Sequence, residues 1–205
     1  MAETRVRLAD DEVVAQRPED LRVTIPVFHT LTACPGAAAA FLLRRIAYRA
    51  GAYAPGIQEY IFFPLSNHTT MGGSLDAVQR WFGGHVGDLQ ELGYRLNARR
   101  VAEPTATVLD WVRTGAGYRG ALLPTTFKKI HPVEDEPEFN HAVGITVDRL
   151  DPRKDEELIM VDPWPGTADR GPGGAQDRGP IPPTLDSAHR DHKYNAIIFY
   201  WSGWS

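Results

Sequence analysis

The pattern of apolar and polar positions divides the chain into a helix-rich first part and a strand-rich second part. The strongest helical signal is the run AAAAFLLRRIA at residues 37–47, because alanine and leucine favour helix and the run is apolar on nearly every side. Pro35 suits the first turn of a helix, and Gly51 offers an end. The pattern predicts a buried helix whose N-terminal capping position falls on or beside Cys34.

Three shorter helices are predicted downstream from the spacing of apolar residues and from the glycines that follow them. The first is expected to end at the pair Gly83-Gly84, and the second at Gly93. The predicted bounds are Leu75 to Phe82, Val86 to Leu92 and Thr105 to Thr114.

The second part of the chain contains short β-branched and aromatic runs separated by turn residues, which is typical of strands. Residues 164–183 are dense in glycine and proline and are predicted to be a long loop with no element of its own. Helices followed by an antiparallel sheet indicate the α+β class. The predicted strands are Val23 to Phe28 (a short strand or extended segment), Arg119 to Leu123, Ala142 to Val147, Leu158 to Val161 and Ala196 to Trp201.

Length and composition indicate a single domain. The chain has 205 residues, of which 42% are apolar and 23% charged, and this is enough to bury one core. Residues 1–22 are charged and weakly patterned, so we expect them to form an N-terminal arm, either frayed or folded as a short surface helix. Residues 23–205 are then the domain.

Charge and cysteine content exclude several classes of partner. The net charge of −4 gives no electrostatic reason to bind nucleic acid or an anionic membrane. The longest nearly apolar run, residues 37–43, is too short to cross a bilayer, and the N-terminus lacks the apolar stretch of a signal peptide. The single cysteine allows no internal disulfide, so we expect a reducing, cytoplasmic compartment. The oligomeric state stays open at this level.

Cys34 is the first candidate for chemistry. A thiol at a helix N-terminus faces unpaired backbone N–H groups and the positive end of the helix dipole, both of which favour the thiolate. The same N–H groups can bind a tetrahedral oxyanion. A lone cysteine is also often a buried structural residue, so Cys34 alone leaves both interpretations open.

A predicted hairpin brings a histidine close to an aspartate. Its two strands flank the polar loop of residues 148–157, and if Asp148 faces Glu157, the numbers of paired residues sum to 305. Asp162 then lies opposite Val143, and His141 is its diagonal neighbour on the same face, within reach of a hydrogen bond. A slip of one residue in the register would separate them.

The three residues together indicate more than each one alone. His141 by itself would be read as a structural histidine, and Asp162 as a turn residue before a proline. In the order Cys34, His141, Asp162, they match a thiol nucleophile, the base that takes its proton, and the carboxylate that fixes the base's tautomer.

His189 and His192 are candidates for a metal site, because they are three residues apart and would share one face of a helix. We favour a solvated polar loop for this HRDH segment, because no second pair of ligands has matching spacing. The sequence predicts no metal site and no cofactor.

Three motifs occur in a familiar order: Cys34-Pro35-Gly36-Ala37-Ala38 at a helix start, His141-Ala142-Val143-Gly144 on a strand, and Asp162-Pro163 after the next strand. The sequence resembles the papain-like cysteine peptidases, in particular the branch that processes bacteriocins with double-glycine leaders. The resemblance covers about residues 24–165 and resumes at the final strand. It implies a papain-like fold, with a helical part that carries Cys34, and an antiparallel sheet that carries His141 and Asp162 across a cleft.

The sequence departs from the family pattern in two places. The order Pro35-Gly36 replaces the usual Gly-Pro, and Phe28 stands where the family has an oxyanion-hole glutamine. His29 and Thr30 are the candidates for a replacement donor, and Thr32 is a further one. Losing one such donor costs about 10²–10³ in rate, so ordinary proteolysis is in doubt.

The resemblance implies acyl transfer through a thioester at Cys34, on a peptide or a small acyl substrate. With water as acceptor the enzyme would be a peptidase or amidase, and with an amine it would be an acyltransferase. One alternative is an inactive relative that binds a peptide or protein partner in the same cleft. Another is a metalloprotein that uses scattered histidines, and we rank it last.

Overall fold

The computed structural model describes residues 34–52, 75–132, 140–147, 158–162 and 177–203. The predicted N-terminal arm and the segment Val23 to Phe28 lie outside the described residues. Within the described residues, no helix combines the length and apolar character needed to cross a membrane.

Five helices and six strands make up the described part of the chain. The helices are α1 (Cys34–Arg49), α2 (Leu75–Glu91), α3 (Thr105–Thr114), α4 (Phe127–Ile130) and α5 (Leu185–Arg190). The strands are β1 (Leu96–Ala102), β2 (Arg119–Thr126), β3 (Asn140–Val147), β4 (Leu158–Asp162), β5 (Asp177–Pro180) and β6 (Asn195–Trp201).

All six strands belong to one sheet with the order β1-β6-β2-β3-β4-β5. Every neighbouring pair is antiparallel. The α+β class predicted from the sequence is therefore confirmed.

The register between β3 and β4 is the one that the sequence predicts. Gly144 pairs with Val161 and Ile145 with Met160, so the paired numbers sum to 305. Continuing this register by one residue places Asp162 opposite Val143. Asp162, the last residue of β4, thus lies beside the N-terminal half of β3.

The two faces of the sheet are covered by different helices. Helices α1 and α2 pack on one face, against residues such as Leu122 and Phe199. Helices α3 and α5 pack on the other, against residues such as Leu123 and Ile198. Helices on both faces explain why nearly all of β2 and β3 is buried.

From Cys34 to Ala47, every residue of α1 whose burial is described is buried, as its apolar pattern predicts. Helix α1 runs along β3 in the same direction as the strand. Leu42 packs against Gly144, which has no side chain, and the guanidinium of Arg45 donates a hydrogen bond of 2.9 Å to the carbonyl oxygen of Val147. From Cys34 to Arg45 the helix rises about 16 Å, and from His141 to Val147 the strand spans about 20 Å. This alignment brings the first residue of α1 to the start of β3.

Helix α2 corrects a prediction from the sequence. The pair Gly83-Gly84 was expected to end a helix, but α2 continues through it to Glu91. Apolar residues on both sides of the pair, including Trp81 and Leu89, are buried in the core. Their burial outweighs the cost of about 1 kcal/mol for each glycine in a helix interior.

Three further elements correct the sequence interpretation. Strand β1 was missed, and because it precedes α3, the helices do not all come before the sheet. Strand β5 lies inside residues 164–183, which were predicted to contain no element. His189 lies in α5 and is buried, so the expected solvated loop is wrong at this residue. Its imidazole is held by Thr105 Oγ1 at 3.0 Å and by the carbonyl oxygen of Asn195 at 2.9 Å.

Substituting a glycine under α1 tests the close approach of this helix to the sheet. A Cβ at Gly120 would lie 2.9 Å from Cδ2 of Leu42, which is fully buried and has no room to move. We expect Gly120→Ala to lower the free energy of unfolding by about 1–3 kcal/mol, measured from urea denaturation midpoints. The matched control is Gly87→Ala in α2, where a Cβ meets nothing within 4 Å and should add about 1 kcal/mol of helix propensity. Equal effects of the two substitutions would contradict the packing.

Candidate functional site

Cys34 is the first residue of α1 and is buried, with 4% of its surface exposed. Pro35 follows it with a backbone dihedral φ suited to a first helical turn and no N–H of its own. The N–H groups of a first turn lack intrahelical acceptors, and the helix dipole is positive there. The thiol therefore lies where backbone electrostatics favour a negative charge.

His141 and Asp162 come together at one end of the sheet. They are the second residue of β3 and the last residue of β4, and both are buried. Nε2 of His141 lies 2.7 Å from Oδ1 of Asp162, which is the length of a charge-assisted hydrogen bond. The diagonal contact predicted from the hairpin register is present.

Cys34 approaches the same imidazole from α1. Its side chain lies close enough to His141 to raise the pKa of the ring. Because Nε2 of His141 is directed at Asp162, Nδ1 is the nitrogen that remains for the sulfur. The structure thus brings together all three residues that the sequence singles out as a triad.

The buried pair has opposite and large shifts in pKa. Burial of His141 favours its neutral ring, but the charge and the hydrogen bond of Asp162, together with the nearby Cys34, outweigh burial and raise the pKa of His141 to about 10. Burial would likewise raise the pKa of Asp162, but the charge of His141 and the hydrogen bonds from two histidines hold this pKa well below its ordinary value. The pair is therefore an imidazolium and a carboxylate at neutral pH.

His131 is a member of the site that the sequence analysis missed. Its Nε2 lies 2.6 Å from Oδ2 of Asp162, so both oxygens of this carboxylate accept a hydrogen bond from an imidazole. The ring of Phe127 packs against both imidazoles, with centroid distances of 4.7 Å to His131 and 5.4 Å to His141. The side chain of His131 is 21% exposed, and it connects the buried carboxylate to the surface.

The sequence carried one usable signal for His131. Strands β2 and β3 are antiparallel neighbours, and Thr125 pairs with His141. Residues that follow the end of β2 must therefore lie near the start of β3. His131 comes six residues after Thr125, at the end of the four-residue helix α4.

The same three residues are the ones that could hold a metal ion. His131, His141 and Asp162 each offer a ligand atom, and these atoms lie within 4.8 Å of one another. The histidine pair at His189 and His192 does not form such a group among the described residues. Both ring nitrogens of His189 already have protein partners.

The predicted oxyanion donors His29 and Thr30 lie outside the described residues, as does Phe28 at the position of the family's glutamine. Their role stays a prediction.

The pH dependence of stability tests the buried pair. The lowered pKa of Asp162 contributes stability above about pH 4 that is lost as the pH falls, and the raised pKa of His141 contributes stability below about pH 6.5 that is lost as the pH rises towards 10. The pair therefore stabilises the fold most between about pH 4 and 6.5. Asp162→Asn should lower the free energy of unfolding by about 3–5 kcal/mol at about pH 5.5, and by less at about pH 10.

The control for this experiment is Asp110→Asn, which removes an exposed ion pair to Arg113. We expect this variant to follow the parent at every pH in denaturant titrations. A loss in Asp162→Asn that is the same at both pH values would contradict the charged pair.

We compared the chain with models of known protein families, with curated proteins and with solved structures. None of these comparisons finds a match. The chemistry of the site therefore has to follow from its own groups: one thiol, two imidazoles and a shared buried carboxylate.

Proposed function

We propose that this protein is a thiol-dependent acyl-transfer enzyme with Cys34 as nucleophile, His141 as base and Asp162 as the residue that orients the base. The observation that carries this proposal is the convergence of the three side chains from α1, β3 and β4. The hydrogen bond of 2.7 Å between His141 and Asp162 fixes one ring nitrogen and leaves the other for the thiol. This is the division of roles that nucleophilic catalysis requires of a base and its orienting group.

In the proposed reaction, His141 holds the proton of Cys34, and the thiolate attacks the carbonyl carbon of the substrate. A carbon–sulfur bond forms as the carbonyl oxygen becomes an oxyanion, which the backbone N–H at the start of α1 helps to stabilise. Collapse of this intermediate breaks the bond to the leaving group, which takes the proton from His141. A thioester at Cys34 remains.

The second half of the reaction reverses these roles. His141 takes a proton from the acceptor, the acceptor attacks the thioester carbonyl, and the sulfur of Cys34 leaves. Water as acceptor makes the protein a peptidase or amidase, and an amine makes it an acyltransferase. The substrate is a peptide or a small molecule with an amide or thioester carbonyl.

We further propose that the fold is papain-like. Support comes from a nucleophile at the N-terminus of a buried helix and from a histidine near the start of a strand in an antiparallel sheet. The acidic residue at the end of the next strand completes the pattern. These positions match the order of motifs through which the sequence resembles papain-like peptidases.

A second candidate function is a catalytically inactive domain that binds a peptide or protein partner in the same cleft. The observation in its favour is Phe28, which cannot donate the hydrogen bond of the family's oxyanion glutamine. A binding domain has no need of an activated thiol, so the chemistry of Cys34 separates the two candidates.

Alkylation of Cys34 by iodoacetamide is the first test. At about pH 6 an ordinary thiol is almost fully protonated, and only the thiolate reacts. We expect the parent to react at least about 10-fold faster than His141→Ala, because removing the imidazole removes the cation that holds the thiolate. Mass spectrometry of the modified chain gives both rates, and the single cysteine makes the assignment unambiguous.

His85→Ala is the matched control for alkylation. His85 stacks on Trp81 in α2 and is not among the residues that converge on Asp162. It should react at the parent's rate. Equal, slow alkylation of all three proteins would contradict the enzyme and leave the binding domain.

Acyl transfer is tested directly with a p-nitrophenyl ester. The parent should release p-nitrophenolate and carry an acyl group on Cys34, and Cys34→Ala should carry none. His141→Ala should slow formation of the adduct by about 10²–10⁴, the range for loss of a general base. Adduct formation on other residues at the same rate in Cys34→Ala would exclude Cys34 as the nucleophile.

A further inference from the structure

We propose that His131, His141 and Asp162 form a binding site for a divalent transition metal ion of the zinc type. Occupation of the site would switch off the thiol chemistry at Cys34. The metal site itself stands on the geometry of the three ligands, and only the inhibitory consequence rests on the proposed function.

The three ligand atoms are nearly in place for a metal. Nε2 of His131 and Nε2 of His141 lie 2.6 Å and 2.7 Å from the two oxygens of Asp162. Zinc holds nitrogen and oxygen ligands at about 2.0–2.2 Å, so tetrahedral ligands lie about 3.4 Å from each other. Each imidazole would have to move away from the carboxylate by less than about 1 Å, and the two imidazole nitrogens, which lie within 4.8 Å of each other, would need the same separation of about 3.4 Å.

The chemistry of the donors selects the class of metal. Two imidazoles and one carboxylate form the ligand set of zinc hydrolases and of mononuclear iron sites, with further positions open to water. Calcium and magnesium prefer a shell of oxygens, and this cluster offers only one carboxylate. The nitrogen-rich set therefore favours zinc and its neighbours in the first transition row.

The packing keeps the ligands ordered and leaves an entry. His141 and Asp162 are buried, and the ring of Phe127 holds both imidazoles in place. The side chain of His131 is 21% exposed, so an ion and its water can reach the carboxylate from this side.

Metal binding would remove His141 from its role as a proton donor. The hydrogen bond to Asp162 uses the proton on Nε2 of His141, and a metal ion takes the lone pair at this same atom. The proton of Nε2 is released to solvent, and Nδ1 keeps the proton that it shares with Cys34. A neutral, metal-bound ring is a far weaker acid than an imidazolium, so it would not give this proton to the leaving group.

Titration of the 205-residue chain with zinc chloride tests the site, with heat of binding as the readout. We expect one zinc ion per chain in the parent. His131→Gln can still donate a hydrogen bond to Asp162 but supplies no imidazole. It should weaken zinc binding by at least about 100-fold, because the loss of an outer-shell partner alone already costs about 10–100-fold in metal affinity. His85→Gln, which changes an imidazole outside the cluster, should bind like the parent.

Cobalt(II) gives a second readout that depends on no variant. The absorption spectrum of cobalt bound to the parent should show the visible bands of nitrogen and oxygen ligands and no charge-transfer band from a thiolate. Cys34→Ser should leave this spectrum unchanged. No binding of zinc by the parent would overturn the site. Undiminished binding in His131→Gln would overturn it as well, and so would loss of binding in Cys34→Ser.

The inhibitory consequence is measured with an anilide, whose leaving group needs a proton from His141, as the ratio of acyl-adduct formation with and without one equivalent of zinc. This ratio should fall in the parent and in His85→Gln, and stay near one in His131→Gln. If the parent binds zinc as expected but forms no adduct even without it, the proposed enzyme fails and the metal site stands. If adducts form and zinc does not bind, the metal site fails alone.

Discussion

The alignment of α1 along β3 is the constraint on which the rest of the site depends. Leu42 fits against the sheet because Gly120 and Gly144 have no side chains, and buried Arg45 fixes the far end of the helix to the carbonyl oxygen of Val147. With these contacts set, the rise of the helix determines where its first residue lies. Cys34 reaches the start of β3 because the interior is packed too closely to let the helix slide.

The second constraint is the charge of Asp162. A buried carboxylate is costly unless charged partners and hydrogen bonds compensate it, and two imidazoles do so here. The same contact fixes the orientation of the His141 ring and directs Nδ1 towards α1. One interaction thus stabilises this end of the sheet and prepares a base. The presence of His131 means that the carboxylate is shared, which a simple triad would not require.

Much of this arrangement could be predicted from the sequence, because local signals determine it. The apolar run after Cys34 predicts a buried helix, and the period of two in β3 and β4 fixes a register that brings His141 to Asp162. The polar loop between those strands is sufficient to predict the register.

Other features depend on tertiary contacts that have no local signal. His131 follows a four-residue helix, and its place in the site depends on a hydrogen bond to Asp162, 31 residues away. His189 reads as part of a polar loop, yet Thr105, 84 residues away, helps to hold it in the core. Strand β1 carries arginines at its centre because it is an edge strand, where charge prevents further pairing.

The ultraviolet absorption of a thiolate, compared between the parent and Cys34→Ala at about pH 6, tests the central claim most directly. Because the chain has one cysteine, the difference spectrum reports on Cys34 alone. The account predicts that the parent absorbs more as a thiolate than His141→Ala does, because the imidazolium of His141 stabilises a negative charge on the neighbouring sulfur. A parent spectrum without a thiolate at this pH would contradict an activated pair of Cys34 and His141.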